Sequence, residues 1–498
     1  MPTSPPIRAT ALLPRPSRLA VAVAGAALLA SAGVVTGARP AAQARPDDGE
    51  LGYRVFLPQA ALSLRRQDPT PAPPTPAATT TDQPTVTATA PLPTPTASAA
   101  PCPGLAERVT VTTASLGAPI RANDEYSPLP VAPRPGGGAL VAWREQSDRR
   151  IRVGTFDARD RLAGVPLTFG GEEVHALVAH DDGGAMAVVA DDPDIYSPKY
   201  CRGPSTPDKP YCAKLDLWRF DGDGATRWRT TVTDKRNVDS IGAHFIWWYQ
   251  HTARLVWTGA EYGLYFRSAL STARPGAPGE IDIHAGDAFR FLDGAGGALD
   301  SAWRAGCSHS WAVRLAFNGH FGAACHGDAY PNAFRVNVLD RELRLGEARL
   351  RDGLDPTKRA LGGLVPTSGG FWLLYMAQEN RAMALHLAFI DNAGRITRDQ
   401  PLGQATELET AYPFRAYLAE YGADEMLAGW YRAGGLQLAV LDRATGSLVS
   451  GPVAITARID TWSEFVPFPN GDVAWAWSPG ATDRLDMVRV AACGREQR

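Results

Sequence analysis

The chain has 498 residues, enough for two or three average domains or for one large all-β domain behind a leader. Its 50 basic residues balance 52 acidic ones, which argues against a nucleic-acid partner, since that would need a basic excess. No Gly-x-Ser-x-Gly, phosphate loop or CxxC occurs, so serine-hydrolase, nucleotide and thiol-redox chemistry lose support.

Arg8, Arg15 and Arg18 precede an apolar run over 19–35, and Ala42-Gln43-Ala44 offers a small-x-small cleavage site. Residues 1–44 are therefore expected to form a secretory signal peptide, or an uncleaved anchor, because the run approaches a minimal membrane span. Either way the protein is placed outside the cytoplasm, secreted or at the cell surface. Contact with a membrane is expected only through this segment. The first cysteine, Cys102, lies far from the run, which argues against a lipoprotein. A short segment, 45–67, follows. Its Tyr53-Arg54-Val55-Phe56-Leu57-Pro58 run resembles a motif common near the ends of secreted proteins of some filamentous bacteria, which implies no chemistry. Residues 68–103 are a Pro/Thr/Ala tract with almost no charge and too little bulky apolar surface to build a core. It is expected to be a disordered, semi-rigid stalk, open to O-glycosylation, extending roughly 100 Å at ~3.1 Å per residue.

From 104 to 494 a repeat takes over. Its first signature is a polar turn before an apolar run. The turns are Gly136–Gly138, Asp182-Gly183, Thr258-Gly259, Asn318-Gly319, Gly369-Gly370, Gly422-Ala423-Asp424 and Asn470-Gly471-Asp472. Its second is an apolar residue followed by Asp, at Asp157, Asp221, Asp293, Asp340, Asp391 and Asp442. Apolar runs of this length broken by Gly, Asn and Asp are strands of an antiparallel meander. Seven copies of the first signature and six of the second leave the last unit one strand short. The run over 108–113 has no unit of its own, so pairing it with the C-terminal strand would close the ring and remove both free edges.

In repeat length and closure the chain resembles seven-bladed β-propellers. The resemblance spans 104–494 and names no family, since neither a Gly-His…Trp-Asp signature nor a sialidase Asp-box is present. Gly306-Cys307-Ser308-His309-Ser310 and the downstream Gly327-Asp328-Ala329-Tyr330-Pro331 resemble segments of uncharacterised secreted proteins. Six cysteines allow 15 pairings. The blade arrangement selects Cys102 with Cys493, Cys201 with Cys212, and Cys307 with Cys325.

Within each blade, strands A to D run outward from the axis, so the A–B and C–D turns share one face and the longer connections share the other. The long connections are expected to be loops over 191–214, 233–250, 269–286, 305–310 and 326–332, all on one face above blades 2 to 4. Six of the nine histidines fall between 244 and 326, with Trp247, Trp248 and Tyr249 nearby. Trp247, Trp248, His251, Arg254, His309, Arg314, His326, Asp328 and Tyr330 are therefore the candidate ligand-binding set. Aromatic faces stack on sugar rings and arginine pairs with carboxylates, so a glycan or an anionic ligand suits them. The competing assignment is strand-end capping and loop hydrogen bonding. No cofactor is expected, and no metal, because no His-x-His or His-x₃-His spacing occurs. Asp221-Gly222-Asp223-Gly224 is expected to be a turn, not a calcium loop. The expected function is a monomeric extracellular module that binds a glycan, a protein or another extracellular ligand. The alternative is a carbohydrate-active lyase or hydrolase using His309, His326 and Asp328, by resemblance to propeller-fold uronate lyases with histidine-rich centres.

Overall fold

A computed structural model describes residues 102–120, 128–191, 211–233, 243–247, 253–273, 281–299, 306–307, 310–328, 331–341, 343–380, 382–402, 416–432 and 435–493. For 191, 211–213, 243–247, 268–273 and 281–285 the description covers the backbone alone. The expected leader, the 45–67 segment and nearly all of the stalk lie outside these residues. None of the described helices is long and apolar enough to cross a membrane.

The chain from residue 102 onward is a seven-bladed β-propeller. Blades 1, 4, 5 and 6 are four-stranded antiparallel meanders in sequence order. Blade 7 takes three strands from the C-terminus and its fourth, Val109–Ser115, from the N-terminus. Val109 registers with Val490 and Ser115 with Arg484 along the whole strand, so the two ends of the chain close one sheet. Cys102 and Cys493 pair beside this seam with their Cα atoms 5.9 Å apart. Cys307 pairs with Cys325 at the same Cα separation. The expected Cys201–Cys212 pair lies outside the described side chains.

Both repeat signatures have a physical cause at the short turns. In the C–D turns the aspartate following the apolar residue accepts from backbone N–H groups two to four positions on. Asp157 takes Arg159 and Arg161, Asp293 takes Ala295 and Gly297, and Asp391 takes Ala393 and Arg395. Asp221 does the same with Asp223 and Ala225, so the Asp-Gly-Asp-Gly stretch is a turn. The A–B turn glycine packs onto that motif. A Cβ on Gly370, at φ +155°, would lie 2.1 Å from the carbonyl oxygen of Ile390, and one on Gly183 would lie 2.2 Å from that of Phe220. Only glycine fits there, because the turn of one hairpin rests on the backbone of the next.

Burial falls outward along each blade. Inner and middle strands such as Ala139–Arg144 and Gly370–Glu379 are almost wholly buried, whereas the outermost Ile396–Pro401 is mostly exposed. The cores lie between blades. Phe334, Val336 and Val338 of blade 4, for example, pack with Phe371, Leu373 and Tyr375 of blade 5.

Two expected loops proved to be sheet. The 269–286 connection is part of a long hairpin, Glu261–Ala273 with Ile281–Asp293, paired without a break out to Ala273 and Ile281. Within the 233–250 connection, Ala243–Trp247 forms an extra strand. It pairs with blade 2 at Ala213, Cys212 and Tyr211, and with blade 3 at Leu270 and Ala269, joining the two blades into one sheet. Blade 3 also departs from the four-strand pattern. Its described fourth strand is reduced to an isolated bridge between Leu292 and Ala298.

Candidate functional site

Each inner strand enters from the long-connection face and ends at its A–B turn, so the seven run side by side along the axis in one direction. They enclose a cavity of about 560 Å³ to which every blade contributes. Its wall is largely backbone edge and aliphatic side chain. Gly363 permits part of it, because a Cβ there would lie 2.3 Å from the backbone nitrogen of Leu418, so blades 5 and 6 approach closely at this point.

Three charged residues converge near the long-connection end of this channel. Arg254 is the second residue of blade 3's inner strand, Ala253–Trp257, and Arg314 holds the equivalent position in Val313–Phe317 of blade 4. Glu464 stands just ahead of Val466–Pro467 in blade 7. Arg254 Nε lies 2.7 Å from Glu464 Oε1, close enough for an ion pair although its N–H is not aimed at the oxygen. Arg314 Nε lies 3.2 Å from the same oxygen. The two guanidiniums are buried, at 5 % exposure each, while the Glu464 side chain keeps 35 %.

Arg254 is engaged at both terminal nitrogens, because Nη1 and Nη2 donate to the carbonyls of Ala253 and Trp462. Arg314 is not. Its Nη1 donates to Val313 O at 2.8 Å, and Nη2 has no hydrogen-bond partner among the described residues. Arg314 and Glu464 both line the cavity. Burial lowers the pKa of Arg314 to about 10, against the opposing pull of Glu464, so the residue stays cationic at neutral pH. Among the described residues, two cations against one anion leave the cluster with one uncompensated positive charge.

The cluster brings together two of the sequence-predicted residues, Arg254 and Arg314. His326 and Asp328 are not in the cluster; His326 ends the second strand of blade 4, Phe321–His326, and Asp328 follows it. His326 is packed between Trp311 and Phe334, with ring centroids 5.6 and 5.1 Å away. Burial, helped by the charge of Arg359, holds it well below the usual histidine range and therefore neutral. Asp328 is within electrostatic range of Arg359. Trp248, His251, His309 and Tyr330 lie outside the described residues, as does the side chain of Trp247. Glu464 is not among the sequence-predicted residues, because it sits in the 456–465 connection into the last inner strand, away from blades 2 to 4 and with no histidine beside it.

A second buried polar group is Asp287, whose carboxylate accepts from the hydroxyl of Tyr265 at 3.1 Å and the backbone N–H of Cys307 at 3.0 Å. Burial, against the opposing charge of Arg267, raises its pKa to about 6. It adjoins Cys307 and Cys325, but their sulfurs are committed to the disulfide.

No protein-family profile and no curated protein matches this chain. Among solved structures it is similar to the Dos1 propeller, at 11 % identity and a TM-score of 0.44, covering 77 % of this chain and 85 % of that one. It is also similar to the β-propeller domain of Myceliophteria thermophila Cps50 (Swd1), at 12 % identity and a TM-score of 0.38, with 75 % and 98 % covered. The β-propeller domain of the Trilobed protease from Pyrococcus furiosus matches at 8 % identity and a TM-score of 0.35, with 66 % and 83 % covered.

Proposed function

We propose that the protein is an extracellular binding module that takes a glycan, protein or other extracellular ligand on its long-connection face, with the axial cavity as the centre of the site. The observation that carries this reading is the positive charge, uncompensated among the described residues, held at the long-connection end of that cavity. A buried charge without a full partner destabilises a fold, and no packing role asks for it. It makes sense as a group waiting for a ligand. A rigid closed scaffold that gathers one strand edge from every blade is well suited to binding. Trp247, Trp248, His251, His309 and Tyr330 complete the proposed rim. A secreted or surface location is supported by the leader-like N-terminus and by the Cys307–Cys325 disulfide.

Leu315, half-buried on the cavity wall, is the residue to block. Leu315→Trp is expected to weaken ligand capture by at least ~10-fold, the loss typical of a blocked central pocket, with a melting temperature close to the parent's. The measurement is binding to a glycan array and to a panel of extracellular proteins. Equal capture by the parent and the blocked variant would place the site elsewhere on the surface.

A further inference from the structure

We infer that the ligand of the axial cavity is a uronate-type saccharide, its ring hydroxyls met by the backbone edges of the channel and its carboxylate by the spare Nη2 of Arg314. This rests on the axial cavity being the ligand site. The charge argument selects an anion. Among the described residues, Arg314 keeps one N–H-bearing nitrogen unengaged while its partner Glu464 is shared with Arg254, so the charges described there are balanced by one further negative charge. A single carboxylate satisfies that balance, whereas a doubly charged phosphate would leave an excess negative charge beside Glu464.

The wall argument selects a saccharide. Among the described residues, each of the seven inner strands pairs on one side only, with its own blade's second strand, so its other edge turns backbone donors and acceptors toward the axis. A peptide entering the channel could pair with one such edge and would leave the others unmet, since strand addition is a one-sided ladder. A polyol ring presents hydroxyls in all directions, each able to donate and accept. The aliphatic wall residues Leu177, Leu255 and Leu418 cover the apolar C–H faces between those hydroxyls.

Titration calorimetry of the full chain with oligogalacturonate, its carboxyl-reduced neutral counterpart and a carboxyl-terminal peptide separates the possibilities. Oligogalacturonate is expected to bind, with the neutral oligomer and Arg314→Gln each weakening binding by at least ~10-fold, as loss of one buried charge-assisted contact does. Glu464→Gln removes the competing negative charge and is expected to tighten uronate binding a few-fold, an outcome that mere destabilisation would not give. That variant keeps the inference testable if Arg314→Gln does not fold. Equal binding of the acidic and neutral oligomers would overturn the carboxylate assignment while leaving a glycan-binding cavity intact. Binding of the peptide alone would overturn the saccharide assignment. Binding of oligogalacturonate that is insensitive to Leu315→Trp would overturn the axial site itself.

Discussion

Individual buried polar groups carry much of this fold's specificity. Arg359, with no exposed surface, donates to the carbonyls of Asn332, Arg351, Leu354 and Gly327 and to the Asn332 side chain, and so fastens the 327–354 region of blade 4 to the start of blade 5. Replacing it by methionine would leave these acceptors buried and unmet, so Arg359→Met is expected to lower stability by ~3 kcal/mol or more, read from urea unfolding. Arg359→Lys should recover only part of the loss, because one ammonium cannot fan out to several carbonyls. Asp287 gives a pH-dependent counterpart. Its folded pKa of about 6 exceeds the ~3.9 of an unfolded aspartate, so the folded state holds the proton more tightly. The stability linked to it is fully present below about pH 4, is lost as pH rises to about 6, and is flat above. The parent should therefore lose up to ~3 kcal/mol across that window relative to Asp287→Asn, measured as the difference between their denaturation midpoints at pH 4 and pH 7. No slope difference between the two would mean that Asp287 is ionised throughout.

At the scale of strands and loops, Ala243–Trp247 is the element that breaks the propeller's regularity. It bridges blades 2 and 3 through two ladders, so a proline at its centre should unzip both. Phe245→Pro is expected to raise amide exchange at Tyr211–Ala213 and at Ala269–Leu270 together, while the inner strands stay protected. Exchange confined to one side would show that the strand belongs to a single blade. This strand was invisible in the sequence for a physical reason. It has no Asp turn and no A–B glycine, because its partners are the projecting ends of two blades and not a hairpin neighbour. The regular blades were legible because turn chemistry repeats wherever one hairpin rests on the next, as at Gly370 and Asp391. The projecting hairpin ends at 269–273 and 281–286 carry no such signal in the sequence because, beyond the blade, their pairing is local and leaves no repeat. The site followed the same division. Arg254 and Arg314 were legible as candidates from their position next to long connections, whereas Glu464, which draws them into one charged cluster, lies far along the chain in blade 7 and meets them only through ring closure.

That closure governs the molecule as a whole. The circular order of blades brings Glu464 of blade 7 across the axis to Arg254 and Arg314 of blades 3 and 4, so the charged cluster exists only if the ring is shut. Two devices hold it, the Val109–Ser115 strand and the Cys102–Cys493 disulfide, and they act on different states. The disulfide spans a sequence separation of 391 and restricts the unfolded chain, a chain-entropy contribution of up to ~6 kcal/mol. The strand instead covers the edge of Arg484–Val490 in the folded state. Cys102→Ala with Cys493→Ala should therefore lower the melting temperature while the protein remains as soluble as the parent and still binds through its axial cavity. Deleting the chain through Ser115 should do more, because it bares a paired edge that is free to add a strand from another copy. The expected signature is concentration-dependent association in size-exclusion chromatography, together with loss of ligand binding as Glu464 shifts. A truncated protein that stayed monodisperse and bound ligand normally would show that the first six blades hold the ring without the seam.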